Sequence, residues 1–198
     1  MRLFVALTPP ADILAEIERA TAPLRDGTPS PAPAAPAGPR LRWVGRDAMH
    51  VTLAFLGEVP DDRVTGLSVR LERAAGRHQR TALCVIGAGA FPAAAKARVL
   101  FARIGGRPDQ LAALRALAGS VAAGARRAGA PPPGEGRRFR PHLTLARSSL
   151  PADLGPLIAA LAGFSSSEWN ADRIDLIRSY TGPRPRYETL GSWPLRPD

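Results

Sequence analysis

A single cysteine, Cys84, is all the thiol chemistry this chain of 198 residues possesses. That excludes an intramolecular disulfide and any C-x-x-C metal or redox pair, and it makes a reducing, cytoplasmic compartment the expected one. Lysine is equally scarce. Of 27 basic residues only Lys96 is a lysine, and against 17 acidic residues they leave a formal net charge of +10. Histidine numbers only three, with no H-x-x-x-H or H-E-x-x-H spacing, so a zinc hydrolase lacks its ligand set. The opening "MRLFVALTPP" carries one positive charge, but its apolar run is too short for a signal-peptide core or a membrane span. It reads as a first strand, and no membrane partner is expected.

What is present is an ordinary apolar fraction of 45%, enough for one sizeable domain or two small lobes sharing an interface. The arginines cluster. Arg137, Arg138, Arg140 and Arg147 bracket one histidine, and Arg178, Arg184 and Arg186 gather near the carboxyl end. Arginine's planar fork suits phosphate, although an Ala, Arg, Gly and Pro bias also follows from GC-rich coding, so charge alone does not specify nucleic acid. Residues 26–40, "DGTPSPAPAAPAGPR", hold five prolines and little to bury, and are expected to form a flexible insertion in a surface loop. "AGAPPPGEGRR" is expected to be a second flexible loop.

Patterning predicts strands at "RLFVALT", "LRWVG", "HVTLAFLG", "TALCVIGAGAF", "ARVLFARIG", "FRPHLTLAR", "RIDLIRSY" and "YETLGSW". Helical periodicity appears in "PADILAEIERATAPLR", "DDRVTGLSVRLERAAG", residues 107–128 and a short segment near 151–162. Strands and helices do not alternate regularly, which predicts an α+β fold over a doubly wound sheet.

Two of the three histidines sit in the same setting, "MHVTLAFLG" and "RPHLTLARS", which share H-x-T-L. With nine threonines in the chain, that pairing arises by composition roughly once in 150 trials. Along a strand, residues i and i+2 share a face, so His50 with Thr52 and His142 with Thr144 each present an imidazole beside a hydroxyl. Val51, Leu53, Leu143 and Leu145 point the other way, into a core. In-line displacement at phosphorus needs a base for the entering oxygen, an acid for the leaving oxygen and donors for the non-bridging oxygens. Two His-Thr pairs supply all four.

The pair "HVTLAFLG" and "RPHLTLAR", with the opening "MRLFVAL", resembles the two-histidine phosphoesterase superfamily, specifically its bacterial and archaeal RNA 2',3'-cyclic phosphodiesterases, historically called 2'-5' RNA ligases. The resemblance runs over nearly the whole chain. It implies a two-lobed, pseudo-symmetric α+β fold with antiparallel sheets facing a central cleft and helices outside. It also implies catalytic His50 and His142, phosphate held by Thr52, Thr144 and Arg147, a substrate contact at Phe55, no metal or cofactor, and a 2'-phosphate product. The implied substrate is RNA, or a nucleotide, ending in a 2',3'-cyclic phosphate. No obligate protein partner is evident.

Spacing complicates two of these residues. Arg147 and Phe55 each lie five positions after a histidine, an odd spacing that turns them to the core face of a regular strand. Arg147 reaches phosphate only if its strand ends or bulges after Ala146. Core packing is the expected use of Phe55 unless the cleft edge extends that far. His78, in "GRHQRT", lacks the threonine and is expected to be solvated. Because arginines crowd His142 in sequence and lower a histidine's pKa, His142 is expected to be the general base and His50 the general acid. Two other readings stay open: action on small cyclic nucleotides or 2'-5' linkages, and RNA binding without catalysis.

Overall fold

The computed structural model describes residues 1–25, 41–134, 138–180, 182 and 186–197. The 26–40 insertion therefore lies outside the described residues, as do Arg137 in the second proline-rich loop and Arg184 near the carboxyl end. The elements run β1 (Arg2–Leu7), α1 (Ala11–Arg25), β2 (Leu41–Trp43), β3 (Val51–Glu58), α2 (Asp61–Ala75), β4 (Thr81–Phe91) and β5 (Ala97–Gly105). After these come α3 (Pro108–Arg127), β6 (His142–Ala152), α4 (Gly155–Ala160), β7 (Trp169–Ala171), β8 (Arg173–Tyr180) and β9 (Arg186–Pro194).

Every strand pairing is antiparallel, in the order β7-β4-β5-β6-β3-β1-β8-β9, with β2 added to β6. This is the expected α+β architecture. Its two halves are continuous, but they meet through one residue pair, Val51 of β3 opposite Leu143 of β6. That pair is the residue between histidine and threonine in each motif. Continuing the antiparallel register sets Thr52 across from His142 and Thr144 across from His50.

Alternation along β1 explains how the sheet separates core from site. Leu3, Val5 and Leu7 enter the main apolar core with Ile13 and Ile17 of α1, Leu67 and Leu71 of α2, and Leu114 and Val121 of α3. Phe4 and Ala6, on the opposite face, join Ile177 and Tyr187 in a small separate cluster. The helices thus cover one face of the sheet. The other face is left for the histidines. α2 and α3 approach closely because residue 124 is glycine; a Cβ there would lie 3.3 Å from the Arg70 carbonyl oxygen.

Candidate active site

Both motif strands carry the same irregularity. In β6, Thr144 pairs with Phe101 and Ala146 with Leu100, so Leu145 is an extra residue without a partner on β5. In β3, Thr52 pairs with Ala6 and Ala54 with Val5, so Leu53 is extra in the same way. A bulge of this kind turns two successive side chains to one face and resets the alternation after it. Leu53 with Ala54, and Leu145 with Ala146, are accordingly buried doublets, and Phe55 and Arg147 return to the face of the histidines.

The required bulge in β6 therefore exists, one residue earlier than expected, and β6 then continues to Ala152. Phe55 is 39% exposed, which corrects the expectation that it packs into the core. The sequence does carry a signal for both: the two motifs share H-x-T-L-A, one residue more than H-x-T-L, and the Leu-Ala doublet is what the bulge buries.

His50 lies under Phe4, stacked at 4.6 Å between ring centroids and 29° between planes, with Tyr187 edge-on at 5.5 Å. The backbone of Ala48 acts on its ring in the direction that favours the charged form. His142 is flanked by Phe91 at 5.1 Å and Phe101 at 5.2 Å, and its Nδ1–H donates to the Arg140 carbonyl at 2.7 Å. A carbonyl only accepts, so this contact fixes the proton on Nδ1 and leaves Nε2 as the free nitrogen of the neutral ring. His142 is thus oriented by the carbonyl two residues before it.

Burial lowers the pKa of both rings. His50 falls from 6.5 to about 4, through burial first, then the Arg147 guanidinium and the neighbouring His142, with the Ala48 contact opposing. His142 is also lowered by burial and by the charges of Arg147 and Arg140, while its bond to the Arg140 carbonyl works the other way. The difference in charge environment inferred from chain proximity does not hold in three dimensions. Arg147 follows His142 in sequence, yet the bulge and the β3–β6 pairing bring its charge to bear on His50.

A cleft of about 400 Å³ joins His50, Thr52, Phe55 and Arg147 with Arg2 and Arg42. Arg42 of β2 is the direct cross-strand partner of Arg147. Like charges so paired are unfavourable in an empty site and are relieved by an anion between them. His142 opens on an adjoining groove that shares Thr52 and Phe55 with the cleft. Thr144 is half-buried on the same strand face and lines neither cavity. Arg2, which stands over the Phe55 ring at 5.1 Å, and Arg42 were not singled out from sequence, since each lies on a strand other than the motif strands.

His78 is half-buried and hydrogen-bonds Ser120 Oγ at 2.8 Å, so it is not the solvated residue expected. Among the described residues no group of three or more His, Cys, Asp or Glu side chains gathers in a metal-binding arrangement. No described helix is long and apolar enough to cross a membrane.

The 2'-5' RNA ligase superfamily profile matches residues 9–183. A curated protein of Geobacillus stearothermophilus, named RNA 2',3'-cyclic phosphodiesterase, is 30% identical over 163 residues, covering 79% of this chain and 48% of the relative. This chain therefore spans about half the length of that protein. A protein of the same name from Thermus thermophilus is 29% identical over 204 residues, covering 99% of this chain and 91% of its own. In three dimensions a crystal structure from Thermus thermophilus superposes with a TM-score of 0.76 at 28% identity, covering 100% of both chains. Apo E. coli LigT gives 0.69 at 28% identity, covering 98% of this chain and 96% of that one. With a profile spanning most of its length and relatives agreeing in fold, the chain belongs to the 2'-5' RNA ligase superfamily.

Proposed function

We propose that the protein hydrolyses RNA 2',3'-cyclic phosphate ends to 2'-phosphates, without a metal, by paired histidine acid and base catalysis. The observation carrying this reading is the meeting of the two H-x-T strands at Val51 and Leu143, with matching bulges that bring Phe55 and Arg147 to the histidine face. The cyclic phosphate lies between the histidines, with its non-bridging oxygens held by Arg147, Thr52 and Thr144. His142 takes a proton from water through Nε2 as the water oxygen bonds to phosphorus. The bond from phosphorus to the 3'-oxygen breaks, and His50 protonates that oxygen.

Geometry, not relative charge, supports this division of roles. Phe55 and Tyr187 offer aromatic surface in the cleft of His50, where a nucleobase can stack. The ribose and its leaving oxygen then lie on the His50 side, and water enters from the groove of His142. His50 is neutral in the empty cleft at neutral pH. An arriving phosphate offsets the Arg147 charge and raises both histidine pKa values, which favours the charged form of His50 when substrate is bound.

The names of the Thermus and Aeropyrum pernix relatives, RNA 2',3'-cyclic phosphodiesterase, support the reaction, and E. coli LigT forms crystalline complexes with 3'-AMP and with phosphate. A cleft of about 400 Å³ also suits a single nucleotide, which favours cyclic mononucleotides as a second substrate class. The test is turnover of cyclic-phosphate-ended RNA and of the four 2',3'-cyclic mononucleotides in the presence of a chelator. Efficient chelator-resistant cleavage of the RNA is expected. Cleavage of the mononucleotides alone would transfer the activity to them, and loss of both to the chelator would refute a metal-independent mechanism.

A further inference from the structure

A second cavity, of about 730 Å³, opens at the end of β4 remote from Phe91 and shares no lining residue with the catalytic cleft or the groove of His142. β4 has 11 residues between the two places, a span of roughly 35 Å at the usual rise of a strand. Arg77, Arg80, Arg107 and Arg196 line this cavity, with Gln79 and Asn170 as neutral donors.

The backbone holds these arginines together. Residues 78–80 and the chain after β9 are laced by Arg80 N–H to the Arg196 carbonyl at 2.9 Å and Arg196 N–H to the His78 carbonyl at 2.8 Å. Arg107 is brought in separately, as the residue capping α3, with its N–H held by the Gln110 side chain at 2.7 Å. Among the described lining residues the one carboxylate, Asp109, is already bonded to Arg107 at 3.1 Å. Among the described residues no carboxylate pairs with Arg77, Arg80 or Arg196. Cations held close by main-chain pairing repel one another, and several forked donors around a polar hollow match closely spaced phosphates.

We infer that this cavity is a second anion site, separate from the catalytic cleft, that takes a ligand bearing two or more adjacent phosphates. The two sources of that chemistry are successive phosphates of an RNA backbone and the polyphosphate of a free nucleotide. Its existence does not depend on the proposed hydrolysis, because the test reads binding as well as turnover.

Tripolyphosphate is titrated calorimetrically against the full chain, the R80A/R196A variant and the R147A variant. Two binding events are expected for the unaltered protein, with R147A losing one and R80A/R196A the other, while R80A/R196A retains normal turnover of a cyclic mononucleotide. Affinity at the second site should fall at least about tenfold, the effect of losing charge-assisted contacts. R80K/R196K should restore part of it, and R77A/R107A, which leaves the laced backbone segment untouched, should weaken the same event. If RNA is the source, R80A/R196A raises KM for a cyclic-phosphate-ended oligonucleotide and not for the mononucleotide. If a free nucleotide is the source, ATP competes with tripolyphosphate there and neither KM moves. A single binding event abolished by R147A, or unaltered binding by both R80A/R196A and R77A/R107A, would overturn the inference.

Discussion

In the proposed reaction His50 and His142 do opposite things from similar surroundings, each flanked by aromatic rings. Replacing either by alanine should lower turnover by at least about 10²-fold in a folded protein, because each removes one proton-transfer role. A substrate with sulfur as the leaving atom separates them. A thiolate departs with little need of an acid, so His50→Ala should recover much of its activity on that substrate and His142→Ala should not; the reverse pattern would exchange the roles. In the proposed mechanism the active form carries one proton shared by the pair. Because His50 titrates at about 4 and His142 below 6.5 in the empty site, kcat/KM should fall below about pH 4 and also decline on the alkaline side from below 6.5. Bound phosphate raises both pKa values, so the kcat profile should lie at higher pH. A kcat/KM profile still rising through pH 8 would exclude this pair as the titrating groups. Arg147→Ala should cost about 10²-fold or more, and Arg147→Lys should restore little because it lacks the planar fork.

At the scale of elements, the sequence is most legible where strands alternate plainly: the expected spans of β4, β5 and β8 coincide with the structure. β7 escaped notice because its three residues are too few to show a period. Strand parity was right for Thr52 and Thr144, and failed for Phe55 and Arg147 because a bulge changes parity without changing composition. Arg2 and Arg42 could not be placed in the site from spacing, since they reach it only through pairings of β1 with β3 and β2 with β6. The groove wall beside His142 depends similarly on a residue remote in sequence. A Cβ at Gly89 of β4 would lie 2.6 Å from the Phe101 ring, which borders His142 and stacks on Phe91 at 4.3 Å. Gly89→Ala should therefore displace Phe101 and lower kcat by about tenfold, with a smaller change in KM, since misplacing a catalytic ring weakens the transition state more than the ground state. Unchanged kcat would show that Phe101 does not position His142.

Over the whole molecule, the helices and one sheet face form a single apolar core, and the polar face is free to hold groups that folding alone does not favour. A histidine whose pKa drops from 6.5 to about 4 on folding is one of them. Above 6.5 both states are neutral and no penalty exists; as pH falls toward 4 the unfolded chain gains a proton that the folded chain resists, so stability declines. His50→Gln removes this term and should flatten the decline in melting temperature between pH 6.5 and 4; an identical slope would mean that His50 titrates normally in the folded protein. The reaction itself is read most directly from its product. Cyclic-phosphate-ended RNA treated in ¹⁸O-water with chelator present should give a 2'-phosphate carrying one ¹⁸O, formed by the unaltered protein and lost in both His50→Ala and His142→Ala. A 3'-phosphate, or the same product from either variant at normal rate, would contradict hydrolysis by the two histidines.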